Sequence, residues 1–222
     1  MLKVSNIETW GFGHALRGMR NPMNSWVKSD SYEGCHGITC EECGQLYEGH
    51  CSSPDFNIGE NDLKLARTLI KAGPEHRKFT RQIFISMDIE APLYFWKEFD
   101  TYKVGTVANS CSTMHKIHAK EFELKDFSHE HLVDGWLKDL KNTIKVLNYA
   151  REHYLETKKK EYWWQMIQLL PSSYNQKRTV TMSYENAYII EHQRGNHKLD
   201  EWHTLVDVIN ELPNYKELFK EG

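Results

Sequence analysis

The chain lacks any long hydrophobic run, any excess of charge of one sign and any low-complexity tract, and each absence removes a class of protein. No stretch approaches the roughly 18 apolar residues that a bilayer-spanning helix needs. The opening Met-Leu-Lys-Val-Ser-Asn-Ile-Glu has no uninterrupted apolar segment of the kind a secretory signal carries. A cytoplasmic protein with no membrane partner is therefore expected. Lys and Arg total 28 against 31 Asp and Glu, a formal net charge of -3 over 222 residues, so charge favours no polyanionic partner. The longest basic run, Lys158 to Lys160, is followed by Glu161 and reads as a solvated helix face, so duplex nucleic acid is not expected as a ligand. Gly-x-Gly-x-x-Gly, Gly-x-x-x-x-Gly-Lys-Ser/Thr, Gly-x-Ser-x-Gly and His-Glu-x-x-His are all missing, which removes the common dinucleotide, phosphate-loop, hydrolase and zinc-protease signatures. There is no internal repeat.

What is present is an ordinary globular composition, 40% hydrophobic and 12% aromatic, sufficient for one domain over residues 1–222 with a sizeable core. Cysteine is distributed unevenly. Four of the five fall between Cys35 and Cys51, and an odd, clustered set argues against a disulfide framework. Residues 28–60 are rich in Gly and Ser and poor in aliphatics, which predicts a long inserted loop. Cys35, Cys40, Cys43 and Cys51 are candidate ligands of a structural zinc, with His36 or His50 able to replace one of them; unbound thiols or a disulfide are the other readings. Cys111 stands apart, read as a small buried hydrophobe or a reactive thiol.

Periodicity supplies the elements. Asn61-Asp62 predicts a cap for a helix carrying Leu63, Leu65, Ala66, Leu69 and Ile70, stopped at Gly73-Pro74. Alternation of Ile83, Ile85, Met87 and Ile89 predicts a strand over 81–90. Ala91-Pro92 opens a further helix. Leu132, Trp136, Leu137, Leu140, Ile144, Leu147 and Tyr149 lie on one stripe of a helix over 131–154, and a second follows over 162–170 to Pro171. A short strand over 178–183 and helices over 184–192 and 199–212 complete a helix-rich α+β domain with a small sheet.

Lys71-Ala72-Gly73-Pro74-Glu75-His76-Arg77, the alternating strand, the Ala91-Pro92 step and Asn109-Ser110-Cys111-Ser112-Thr113-Met114-His115 follow one another in an order that resembles the flavin-dependent thymidylate synthases. Asn24-Ser25-Trp26 near the start, and Leu170-Pro171 through Arg194 near the end, extend the likeness to about two thirds of the chain. The resemblance implies a thymidylate synthase-complementing-protein-like fold with residues 28–60 inserted. It also implies FAD as cofactor, NADPH and methylenetetrahydrofolate as co-substrates, a pyrimidine deoxynucleotide such as dUMP as substrate, and a homotetramer.

That family carries Arg-His-Arg-x-x-Ser-x-Asn-x-x-Ser-x-Arg-Tyr after its Ala-Pro step, and this chain departs from it. Thr101-Tyr102-Lys103 replaces Arg-His-Arg, Thr106 replaces the first serine, and one extra residue, Val107 or Ala108, precedes Asn109 and Ser112. Met114-His115 replaces Arg-Tyr. By position, Ser25, Tyr102, Lys103 and Thr106 are implied to contact flavin, Asn109 the substrate or flavin, and Ser112 to donate to the substrate; local turn or cap roles are the other reading of Ser25, Tyr102, Asn109 and Ser112. The anion clamp passes to Arg194, which matches a nucleotide-binding arginine of the family, and to Lys177 or Lys116, both equally readable as exposed lysines. A lysine binds phosphate as a point charge, without the planar fork of a guanidinium. The same fold without catalysis is the alternative function.

Overall fold

The computed structural model describes residues 2–34 and 55–220. In chain order the elements are β1 (Lys3–Trp10), α1 (Phe12–Met19), β2 (Tyr32–Gly34), β3 (Asp55–Asn57), α2 (Glu60–Ala72), β4 (Phe84–Pro92), α3 (Leu93–Phe99), β5 (Val107–Ser110), α4 (Asp134–Thr157), α5 (Lys160–Leu169), β6 (Asn175–Ser183), α6 (Tyr184–Arg194), α7 (Asp200–Asn210) and α8 (Tyr215–Phe219). β1, β4, β6 and β5 form a four-stranded sheet in the order β1-β4-β6-β5, and β2 pairs with β3 separately. Side chains bridge β4 and β6 at Asp88–Thr179 and Ser86–Thr181, a register in which one strand's numbers fall as the other's rise, so the two are antiparallel. Contacts divide the chain into two compact units. The first comprises Met1–Ile7, Met87–Val180 and His197–Leu205; the second comprises Glu8–Ser86, Thr181–Asn196 and Val206–Gly222.

The alternation expected over 81–90 is there, shifted towards the C-terminus. Ile83, Ile85, Met87, Ile89 and Ala91 are all at most 1% exposed, while the intervening Phe84, Ser86, Asp88 and Glu90 are half-buried. Residues 78–82 instead make a 3-10 turn. β6 likewise begins at Asn175, earlier than its β-branched residues suggested. Four strands carried no readable signal; β2 and β3 fall within the span 28–60 that the sequence predicts as loop. β1 and β5 lie at the sheet's edges and are mostly exposed, so neither shows the period of two that burial of one face imposes.

In the first unit an aromatic cluster forms the centre. Phe95, Trp96, Phe99 and Trp202 are each at most 2% exposed, with Phe95 and Trp202 centroids 4.6 Å apart. Trp96 Nε1 donates to the carbonyls of Ala91 and Gln176, both at 3.0 Å, so the ring is buried without an orphaned donor. A second cluster unites α4 and α5 through Leu140, Ile144, Leu147, Ala150 and Met166, joined by Ile117, Phe122 and Phe127. The stripe expected on α4 is only partly covered: Leu132, Trp136 and Tyr149 are 40%, 66% and 60% exposed. Trp136 shares the buried direction but sits beyond the reach of α5, and Tyr149 faces the other way.

The second unit packs Phe12 edge-on against Tyr184, which meets Tyr215 at 5.9 Å. Its charged centre is Asp62, which is 0% exposed. Asn61-Asp62 does not cap α2 as expected; Gly59 holds the N-cap position. Asp30 supplies the side-chain cap instead, accepting from the backbone N–H groups of Asn61 and Asp62 at 2.9 and 3.1 Å. Asp62 turns inward. It accepts from Arg20 Nε at 2.5 Å, Ser29 Oγ at 2.7 Å and Ser31 Oγ at 2.6 Å. Burial alone would raise the Asp62 carboxyl, but hydrogen bonds from Ser31, Ser29 and Arg20 outweigh it and hold the group below the ordinary carboxylate value.

Candidate functional site

The polar side of the first unit's strands carries one connected network. Asp88 on β4 accepts from Asn6 Nδ2 at 2.9 Å, Lys177 Nζ at 2.8 Å and Thr179 Oγ1 at 2.6 Å. Alternation places Asp88 outward between buried Met87 and Ile89, and the same rule puts Lys177 and Thr179 on one side of β6. Hydrogen bonds from Lys177 first, then Thr179 and Asn6, push the Asp88 carboxyl down to about 2. Reciprocally, Asp88 raises the Lys177 ammonium above the ordinary lysine value. Lys177 is thus a cation with a partner already in place. Neither Asn6 nor Asp88 was singled out from the sequence; the readable signal was a carboxylate at an outward position of an alternating strand.

β5 joins this network along the sheet. Cys111 N–H donates to the Lys177 carbonyl at 2.9 Å, and Gln176 Nε2 donates to the Cys111 carbonyl at 2.7 Å. Asn109 on β5 and Lys177 on β6 therefore occupy neighbouring strands. The thiol of Cys111 is exposed, which corrects the expectation of a small buried hydrophobe. It directly follows β5, an edge strand whose four residues are all exposed. Ser112 is also exposed, and its Oγ accepts from the N–H groups of Met114 and His115 at 3.2 and 2.9 Å, which caps the following turn.

The segment aligned with the altered motif divides by chemistry. Tyr102 is half-buried against Trp202 and Phe99, at 5.9 and 6.3 Å. Lys103 and Lys116 are exposed and make no ion pair among the described residues. Thr106 is half-buried just before β5. One guanidinium of this unit is fully engaged: Arg178 donates to Asp100 Oδ1 at 2.7 Å and Gln176 Oε1 at 3.0 Å, and lies 4.2 Å over the Trp96 ring. Tyr94 donates to Glu201; burial first, then that carboxylate, raises its hydroxyl above the ordinary tyrosine value.

In the second unit, Ser25 lies beside Arg20, whose Nη1 reaches the Ser25 carbonyl at 3.4 Å and its Oγ at 3.5 Å. Arg194 is half-buried and is the last residue of α6, where the sequence put it beyond the helix. His192 and Arg194 in that last turn face the partial negative charge of the helix C-terminus. Arg77 Nε spans both oxygens of Glu185, at 3.1 and 2.9 Å, and its guanidinium covers Tyr188 at 4.6 Å. Cys35, Cys40, Cys43 and Cys51, with His36 and His50, lie outside the described residues. Among the described residues no group of three His, Cys, Asp or Glu is arranged to hold a metal, and no helix is long and apolar enough to cross a membrane.

No protein-family profile matches the sequence, and no curated protein does. Solved structures do match in fold. A flavin-dependent thymidylate synthase ThyX from Helicobacter pylori, complexed with FAD and dUMP, aligns over 98% of both chains with a TM-score of 0.67 at 14% identity. A second ThyX structure from that organism, also with FAD and dUMP, covers 99% of this chain and 98% of its own at a TM-score of 0.64 and 14% identity. The UMP/dUMP methylase PolB from Streptomyces cacaoi, bound with 5-Br dUMP, aligns over 95% of this chain and 88% of its own at a TM-score of 0.56 and 10% identity. The helix-rich fold with a small antiparallel sheet expected from the sequence's order of segments is the fold observed, while the Cys-rich insertion expected over 28–60 falls largely outside the described residues.

Proposed function

We propose that this chain binds FAD and a pyrimidine deoxynucleotide, and that it methylates that nucleotide, or transfers a related one-carbon group to it, as in the conversion of dUMP to dTMP. One observation carries the reading: the fold matches, end to end, that of proteins solved with FAD and dUMP. When bound and reduced, FAD supplies the redox equivalents of the reaction, with NADPH and methylenetetrahydrofolate as co-substrates. The residues present suit phosphate-bearing ligands. Lys103 and Lys116 are exposed cations without ion-pair partners among the described residues, at and just beyond the altered motif. In this reading Arg194 holds the nucleotide phosphate, Lys177 and Asn109 present polar groups to the substrate from neighbouring strands, and Ser112 donates to the base. Ser25, Tyr102, Lys103 and Thr106 face the flavin. The assembly is a homotetramer whose sites draw on several subunits.

A second reading keeps the nucleotide and drops the reaction, and the altered motif favours it. Where the family has Arg-His-Arg, this chain has Thr101-Tyr102-Lys103, with Tyr102 packed on Trp202 rather than offering charge. Titration of the purified protein with FAD, followed by visible absorption, and with dUMP, followed by calorimetry, separates the readings. Binding of both with dTMP formed under reducing conditions supports the enzyme. Nucleotide binding without flavin uptake supports the binding protein, and binding of neither overturns both.

A further inference from the structure

We infer that the Asp88–Lys177 pair reads the uncharged base of a pyrimidine nucleotide, Asp88 accepting from the ring's imide N–H and Lys177 donating to the carbonyl beside it, and that the phosphate is not held there. The inference rests on the nucleotide reading above and says which part of that ligand the outward face of β4 and β6 takes. Hydrogen-bond capacity comes first. A carboxylate has about four acceptor sites. Asp88 Oδ2 accepts from Lys177 Nζ at 2.8 Å and Asn6 Nδ2 at 2.9 Å, and its Oδ1 accepts from Thr179 Oγ1 at 2.6 Å, so Oδ1 keeps a site for a further donor. Lys177 carries three N–H groups and directs one at Asp88. Its side chain is 47% exposed, against 14% for Asp88. An acceptor and a donor therefore stand side by side at the surface, with Thr179 and Asn6 fixing the carboxylate.

Charge decides against the phosphate. Asp88 already neutralises Lys177, and Glu90, the next outward residue of β4, lies within electrostatic reach of the same ammonium. Two carboxylates against one ammonium leave this face with a net negative charge, and a nucleotide phosphate of roughly two negative charges placed on Lys177 would also meet Asp88. An uncharged ring meets no such repulsion. Uracil presents one N–H between two carbonyl oxygens, and a carboxylate next to an ammonium is complementary to that N–H and one flanking oxygen. Cys111 supplies a reporter. Its N–H donates to the Lys177 carbonyl at 2.9 Å, its thiol is exposed, and the thiol lies within electrostatic reach of the Lys177 ammonium.

Calorimetric titration of the full chain with dUMP and with N3-methyl dUMP, in wild type and in Asp88→Ala, tests this. The methyl group removes the ring's N–H and leaves the phosphate untouched. In wild type it is expected to weaken binding about tenfold or more, the loss of a charged hydrogen bond, whereas Asp88→Ala is expected to bind the two ligands within about twofold of each other. A second measurement needs no substitution: saturating dUMP is expected to slow alkylation of Cys111 by iodoacetamide about fivefold or more, read on its peptide by mass spectrometry, and inorganic phosphate at the same concentration is expected to leave the rate unchanged. Wild type that binds neither nucleotide overturns the nucleotide reading and this inference with it. If dUMP binds, three outcomes overturn the role given to Asp88 and Lys177 and leave that reading standing. N3-methylation costs nothing in wild type, or it costs as much in Asp88→Ala, or Cys111 is protected as well by phosphate as by dUMP.

Discussion

Asp88 and Asp62 are two carboxylates lowered for different reasons, and the difference decides how each responds to change. Asp88 sits at the open face of a strand and depends on three donors, chiefly Lys177. Because its folded pKa of about 2 lies below the usual ~3.9 of an unfolded aspartate, its contribution to stability is complete above pH ~4 and disappears as pH falls through about 2. Carbon-detected NMR should place its titration midpoint near 2, and Lys177→Met should move that midpoint upward. Asp62 is fully buried with Arg20, whose side chain is 4% exposed. Asp62→Ala leaves that guanidinium buried without its counter-charge, and urea unfolding is expected to register a loss of about 3 to 5 kcal/mol. Alternation made Asp88 readable as outward-facing; Asp62 was misread as a cap because the segment that caps α2, Ser29 to Ser31, lies some thirty residues earlier in sequence.

Elements add constraints that no single side chain carries. The turn from β1 into α1 passes through Gly11 at φ 95°, and a Cβ there would lie 2.2 Å from the backbone oxygen of Gln82. No rotamer change relieves a clash with backbone, so Gly11→Ala is expected to lower the unfolding free energy by at least ~2 kcal/mol, visible as a fall in urea midpoint at constant slope. β2 and β3 pair antiparallel, with Tyr32 opposite Asn57 and Gly34 opposite Asp55. If the four thiols clustered in sequence at Cys35, Cys40, Cys43 and Cys51 hold a zinc ion, elemental analysis gives one equivalent and chelation lowers the thermal midpoint. Substoichiometric metal with no effect of chelation would leave these thiols unliganded.

At the scale of the whole molecule, end-to-end similarity of fold at 14% identity or below separates architecture from chemistry. If the phosphate clamp has moved from the motif to α6, Arg194→Ala should weaken dUMP binding by about 1.5 to 3 kcal/mol, tenfold or more in calorimetric titration. Equal affinity in wild type and variant would remove Arg194 from the clamp while leaving the nucleotide assignment intact. Light scattering should give four times the chain mass at micromolar concentration. A monomer would argue against any site built from several subunits.

The sequence by itself determined the elements with a buried face: β4, α2, α5 and the covered half of α4, because burial on one side imprints a period of 2 or 3.6 on residue choice. It also determined the order of turns and steps from which the fold was legible. The edge strands β1 and β5, the exposure of Cys111 and Trp136, and the pairing of Lys177 with Asp88 were decided only in three dimensions. Each of those depends on which residue, distant in sequence, arrives opposite, or on none arriving, and periodicity along one segment carries no record of that.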